Sequence, residues 1–76
     1  MIDQKVYKII SQIMNIPLEQ INENSSYENI ENWDSLQHMN LVMALEEDFK
    51  VQLTEDDVVK IISAKAIIET LKNKTI

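Results

Sequence analysis

The stretch ENWDSLQHMNLVMALEEDF, residues 31–49, sets a serine, Ser35, directly ahead of a strongly helical run. Advancing about 100° per residue from Leu36 at zero, Leu41, Leu45, Phe49 and Val42 fall at roughly 140°, 180°, 220° and 240°. That stripe predicts a helix from about Ser35 to Phe49 with one side in a core. Leu36, Met39 and Met43 fall at about 0°, 300° and 340°, on the opposite side, flanked by Asn40 at about 40°, Glu47 at about 20° and Glu46 at about 280°. A chain of this length buries only about 60% of the surface its unfolded form exposes, too little to wrap one helix on all sides. The second stripe is therefore expected to face solvent, an apolar seam with two adaptable methionines inside a carboxylate rim, suited to transient protein partners. The alternative is that Met39 and Met43 complete the core beneath a loop.

Outward from this helix the chain divides without repeats or linkers. Ile2, Val6, Ile9, Ile10 and Ile13 trace one face of an amphipathic N-terminal helix, which Pro17 cannot continue, so it ends near Met14 to Ile16. Residues 17–34 are rich in Asn, Ser and Glu. They read as a long loop pinned to the core at Ile21, Tyr27, Ile30 and Trp33, and loops of that length tend to be functional. Thr54 followed by Glu55, Asp56 and Asp57 reads as an N-cap and acidic first turn opening a short helix through Ile61. Ser63 caps a last helix whose Ala64, Ile67, Ile68 and Leu71 share a face. The predicted fold class is all-α, a small bundle of three main helices and one short one, in a single domain spanning 1–76.

Charge is unevenly spread. Residues 19–57 hold eleven acids against Lys50 alone, a net of −10, while the two ends together carry +4. Phosphate backbones are bound through lysine and arginine, so nucleic acid is an unsuitable partner, as is an anionic membrane. The acidic belt serves either solubility or attraction of basic proteins. The chain has no cysteine, hence no disulfide, thiol nucleophile or thiolate metal site. The segment MIDQKVYKII has no signal-peptide h-region, and no apolar run approaches the roughly 18 residues of a membrane span. A soluble cytoplasmic protein is the expectation.

Ser35 has three possible jobs. Its hydroxyl, like the Asp34 carboxylate, can cap the first turn of the helix. It could be a catalytic nucleophile, but that needs a base, an orienting group and an oxyanion site. The single histidine, His38, projects at about 200°, toward the core face, where it suits a satisfied, partly buried role. TEDDVV lacks the glycine and ligand spacing of a calcium loop, so no metal site is expected. Third, Ser35 could be acted upon by another enzyme.

DSL at the head of a helix, then LVMALEEDF, LTEDDVVKI and SAKAIIETL, resembles the acyl carrier protein family over nearly the whole chain. The resemblance implies a carrier, not a catalyst. A phosphopantetheinyl transferase would join 4′-phosphopantetheine from coenzyme A to Ser35, between Asp34 and Leu36, and acyl groups would ride on its thiol as thioesters. It also implies that Asp34, Leu36, Met39, Met43, Glu46, Glu47, Glu55 and Asp56, with Asn40 beside them, face partner enzymes. These would be acyl-activating, acyltransferase or synthase enzymes with basic patches, met by a monomer. A helix N-terminus favours the phosphodiester such an attachment creates. In this family the bundle often opens to shelter the acyl chain.

Some positions depart from the family's fatty-acid pattern. Where a glycine and a small residue usually precede DSL, this chain has Asn32 and Trp33. Asn tolerates left-handed backbone well enough to keep a turn there, while Trp33 either shields the arm or anchors the loop. Gln37 and Asn40 are neutral where acids are common. These departures incline the reading from fatty acid synthesis toward a discrete carrier of a specialised route: polyketide, aminoacyl or peptidyl (D-alanyl included), or surface-saccharide acyl transfer. An unmodified acidic interaction module and a Ser35-dependent hydrolase stay open as alternatives.

Overall fold

The computed structural model describes residues 2–74. Four helices follow one another: α1, Ile2–Met14; α2, Ser35–Phe49; α3, Glu55–Lys60; and α4, Ala64–Lys74. A single 3-10 turn, Leu18–Gln20, lies in the first connection. α1 packs against both α2 and α4, and the short α3 leans on α4. The all-α bundle expected from periodicity is the fold. None of the described helices is long and apolar enough to cross a membrane.

Several helix ends have a local cause. In α3, Thr54 Oγ1 accepts from the Asp57 N–H at 3.1 Å while Asp57 Oδ2 accepts from the Thr54 N–H at 2.9 Å, a reciprocal cap that satisfies two orphan donors. Ser63 Oγ accepts from the Ala66 N–H at 3.1 Å at the head of α4. With no glycine in the chain, Asn15 and Lys50 supply the left-handed residues, at φ 58° and 56°, that close α1 and α2. The next N–H in each case turns back into the helix, Ile16 to Ser11 O and Val51 to Glu46 O, which uses carbonyls the helix end would leave unpaired.

The core gathers Val6, Ile9, Ile10 and Met14 from α1, Leu41, Val42 and Leu45 from α2, and Ile67, Ile68 and Leu71 from α4, with Leu53 and Ile61 beside them. Phe49, expected on the core stripe, is only half-buried. The Lys5 ammonium lies 5.8 Å from its ring centroid, a position that favours an aromatic face left partly open.

Residues 17–34 hold their shape through side-chain turns. Asn22 Oδ1 accepts from the Asn24 N–H, Asn29 Oδ1 from the Ser26 N–H, and Asn29 Nδ2 donates to Asn24 O, the local bonding that makes Asn favourable in loops. An antiparallel bridge between Ser26 and Ser63 then ties the loop to the head of α4 through Tyr27 N–H to Ile62 O and Ala64 N–H to Ser25 O. Ile21, Ile30 and Trp33 are the apolar pins. Tyr27, expected among them, is 52% exposed; its backbone, not its ring, is the attachment.

Candidate functional site

Asp34, not Ser35, caps α2. Its Oδ1 accepts from the Gln37 N–H at 2.9 Å, and its backbone oxygen accepts from the His38 N–H at 2.8 Å. Ser35 is thus the first helical residue and is exposed. Among the described residues its hydroxyl has no hydrogen-bond partner, and none reaches the N–H groups of Ser35 and Leu36. The head of a fifteen-residue helix therefore presents a hydroxyl and two unspent donors to solvent, with the positive end of the helix dipole behind them.

The second stripe of α2 is open. Leu36 is 71% exposed, Met39 50% and Met43 58%, so the methionines do not complete the core. Glu47, Glu55 and Asp56 are exposed and Asn40 half-exposed. Glu46, expected on the same rim, is half-buried and turned to another use: its Oε2 accepts from the Leu53 N–H at 2.9 Å, tying α2 to the start of α3.

Beside Ser35 lies a shallow, mainly apolar trough of about 230 Å³, walled by Tyr27, Trp33, His38 and Ile62 and edged by Asp34. A larger hollow of about 530 Å³ among Ile16, Asn22 and Asn29 does not include Ser35. Trp33 is 3% exposed, and its Nε1–H donates to His38 Nδ1 at 2.9 Å. That assigns the imidazole proton to Nε2, which lies 2.8 Å from Val58 O on α3. His38 is saturated by these two partners and is no base for Ser35.

A family profile described as a phosphopantetheine attachment site matches residues 4–71. An acyl carrier protein of Buchnera aphidicola subsp. Schizaphis graminum is 36% identical over 73 residues, covering 96% of this chain and 92% of that one. The chain belongs to the acyl carrier protein family. A second relative, the acyl carrier protein of Nitratidesulfovibrio vulgaris strain DP4, is 34% identical and covered to 96% on both sides. In fold, the solution structure of the holo acyl carrier protein from Geobacter metallireducens matches with a TM-score of 0.83 at 24% identity, over 95% of this chain and 83% of that one. Members of this acyl carrier family act as carriers, not catalysts, and phosphopantetheine is their prosthetic group. The residues present fit it: an uncommitted hydroxyl, two free N–H donors for a phosphodiester and an apolar trough alongside.

As an acyl carrier protein, the chain explains its unusual residues structurally. Asn32 does not use the left-handed backbone that asparagine tolerates; its Nδ2 donates to Met14 O at 2.8 Å. Gln37 Nε2 donates to Ile13 O at 3.1 Å, and its Oε1 accepts from Asn40 Nδ2 at 2.9 Å. Both amides thus serve the orphan carbonyls at the end of α1, which a carboxylate could not do. Trp33 anchors the loop and also walls the trough. Val58 and Ile62 carry no signal in the sequence, because a backbone carbonyl has no side-chain signature and an isoleucine between the short helix and the last one reads as core.

Proposed function

We propose that Ser35 carries 4′-phosphopantetheine in this protein. The face formed by Leu36, Met39 and Met43, within the rim of Glu47, Glu55 and Asp56, then receives the enzymes that load and use it. The observation that carries this reading is the release of Ser35 from capping: Asp34 takes the N–H that a capping serine would bond, leaving an exposed hydroxyl with no structural task. In the attachment reaction Ser35 Oγ bonds to the phosphorus next to the pantetheine of coenzyme A. The pyrophosphate bond breaks, adenosine 3′,5′-bisphosphate leaves, and the serine proton passes to a base on the transferase. When attached, the group supplies a thiol on which acyl chains travel as thioesters. The Ser35 and Leu36 N–H groups bind the phosphodiester, and the exposed apolar stripe buries against each partner. The acids around it speed encounter with basic patches and make docking sensitive to salt. Tethering then raises the effective concentration of the acyl group at the docked enzyme.

Coexpression with a broad-specificity phosphopantetheinyl transferase, followed by intact-mass measurement, tests the reading. The chain should gain one phosphopantetheine mass, and Ser35→Ala should gain none. An unmodified chain beside a control carrier that is fully modified would leave the interaction-module reading in its place.

A further inference from the structure

Two side chains of α2 reach across to backbone groups, one in α3 and one in the segment just before it. Near the head of α2, His38 Nε2 donates to Val58 O at 2.8 Å, with the ring held from behind by Trp33 Nε1. Near its end, Glu46 Oε2 accepts from the Leu53 N–H at 2.9 Å. Behind these two latches Leu41, Leu45, Ile61 and Ile67 are each no more than 1% exposed.

From this arrangement, and resting on attachment at Ser35, we infer that this carrier holds its acyl group outside the bundle and serves short or polar acyl groups rather than long hydrocarbon chains. A chain entering between α2 and α3 beside Ser35 meets the Trp33–His38 pair, whose rings lie 6.2 Å apart at 25°. Passage means separating His38 from Val58, which breaks a partly buried hydrogen bond between an imidazole N–H and a carbonyl. The apolar recess that borders Ser35 is the trough of about 230 Å³. On the scale of a cavity of about 150 Å³ that holds benzene, it takes roughly nine carbon-sized atoms. The arm's own apolar segment next to the phosphate competes for that space. A long alkyl chain would therefore stay largely in water, whereas a short or polar acyl group loses little there.

The test uses the full chain, loaded by the transferase from acetyl-, octanoyl- and palmitoyl-coenzyme A, with loading verified by mass. Methyl NMR shifts of Leu45, Ile61 and Ile67 should be the same for all three, and Tm should not rise with chain length, while Trp33 and Ile62 signals shift. Core methyl shifts that grow from acetyl to octanoyl, with a rising Tm, would overturn the inference while the mass gain upholds attachment. Failure to load any of the three would overturn the attachment itself. In His38→Ala the octanoyl form should regain core shifts relative to its acetyl form, and their absence would remove the latch as the cause of exclusion. Should that variant not fold, the wild-type series decides alone.

Discussion

The Trp33 indole donates its single N–H to His38 Nδ1 at 2.9 Å, joining the last turn of the long loop to the first turns of α2. Trp33→Phe keeps one aromatic ring but removes that bond and part of a buried side chain, leaving a nitrogen of a partly buried imidazole without its donor. The expected loss is about 1–2 kcal/mol, measured by urea denaturation followed by far-UV circular dichroism. Unchanged stability would show that water replaces the indole N–H without penalty.

Asp34 and Ser35 stand side by side with separable duties. Asp34→Ala removes the cap and should lower stability by about 1 kcal/mol, whereas Asp34→Asn should retain most of it. Ser35→Ala touches no hydrogen bond and should fall within about 0.5 kcal/mol of wild type while abolishing modification. If Ser35→Ala were the more destabilising change, the cap assignment would be wrong.

Glu46 and Glu47 are neighbours with opposite fates. Glu47→Lys should slow association with a transferase or partner enzyme and flatten its salt dependence, leaving Tm unaltered. Glu46→Gln, which substitutes a neutral acceptor for the carboxylate that receives the Leu53 N–H, should lower Tm more than it slows association. Stopped-flow rates across a salt series, paired with thermal melts, separate the two.

The Asp57 carboxyl lies at about 2, below its ordinary 3.8, chiefly because Lys74 donates to it, helped by the Thr54 N–H. The ion pair measures 2.8 Å. Since the folded-state value is the lower one, its stabilisation is complete above the unfolded value near 3.8 and is lost as pH falls toward about 2. Asp57→Asn should make the acid limb of a stability-against-pH curve shallower between those values. An acid limb as steep as that of wild type would contradict the assignment.

Lys50 closes α2 at φ 56°, a conformation that disfavours a residue bearing a Cβ. Lys50→Gly should raise stability by about 1 kcal/mol, read as a shift of the urea midpoint with unchanged slope. A loss of stability would mean that the lysine side chain supports the turn in a way its backbone does not reveal.

Much of this protein was legible in order of residues alone. Period and punctuation placed α2 at 35–49 and the caps of α3 and α4 at Thr54 and Ser63, because helix capping and amphipathic spacing act within a few residues of chain. The same arithmetic placed Leu36, Met39 and Met43 on a face that a small core cannot cover, and all three are exposed. The DSL register placed the chain in its family. What depended on tertiary structure was the division of labour between neighbours. Asp34 rather than Ser35 took the cap. Glu46 took up the Leu53 N–H, Gln37 and Asn32 served α1 carbonyls, and Tyr27 left its ring largely exposed. Those outcomes turn on where a backbone N–H or carbonyl from a distant segment comes to rest. A sequence encodes such groups identically at every position except proline, so only the packed chain decides which side chain meets them.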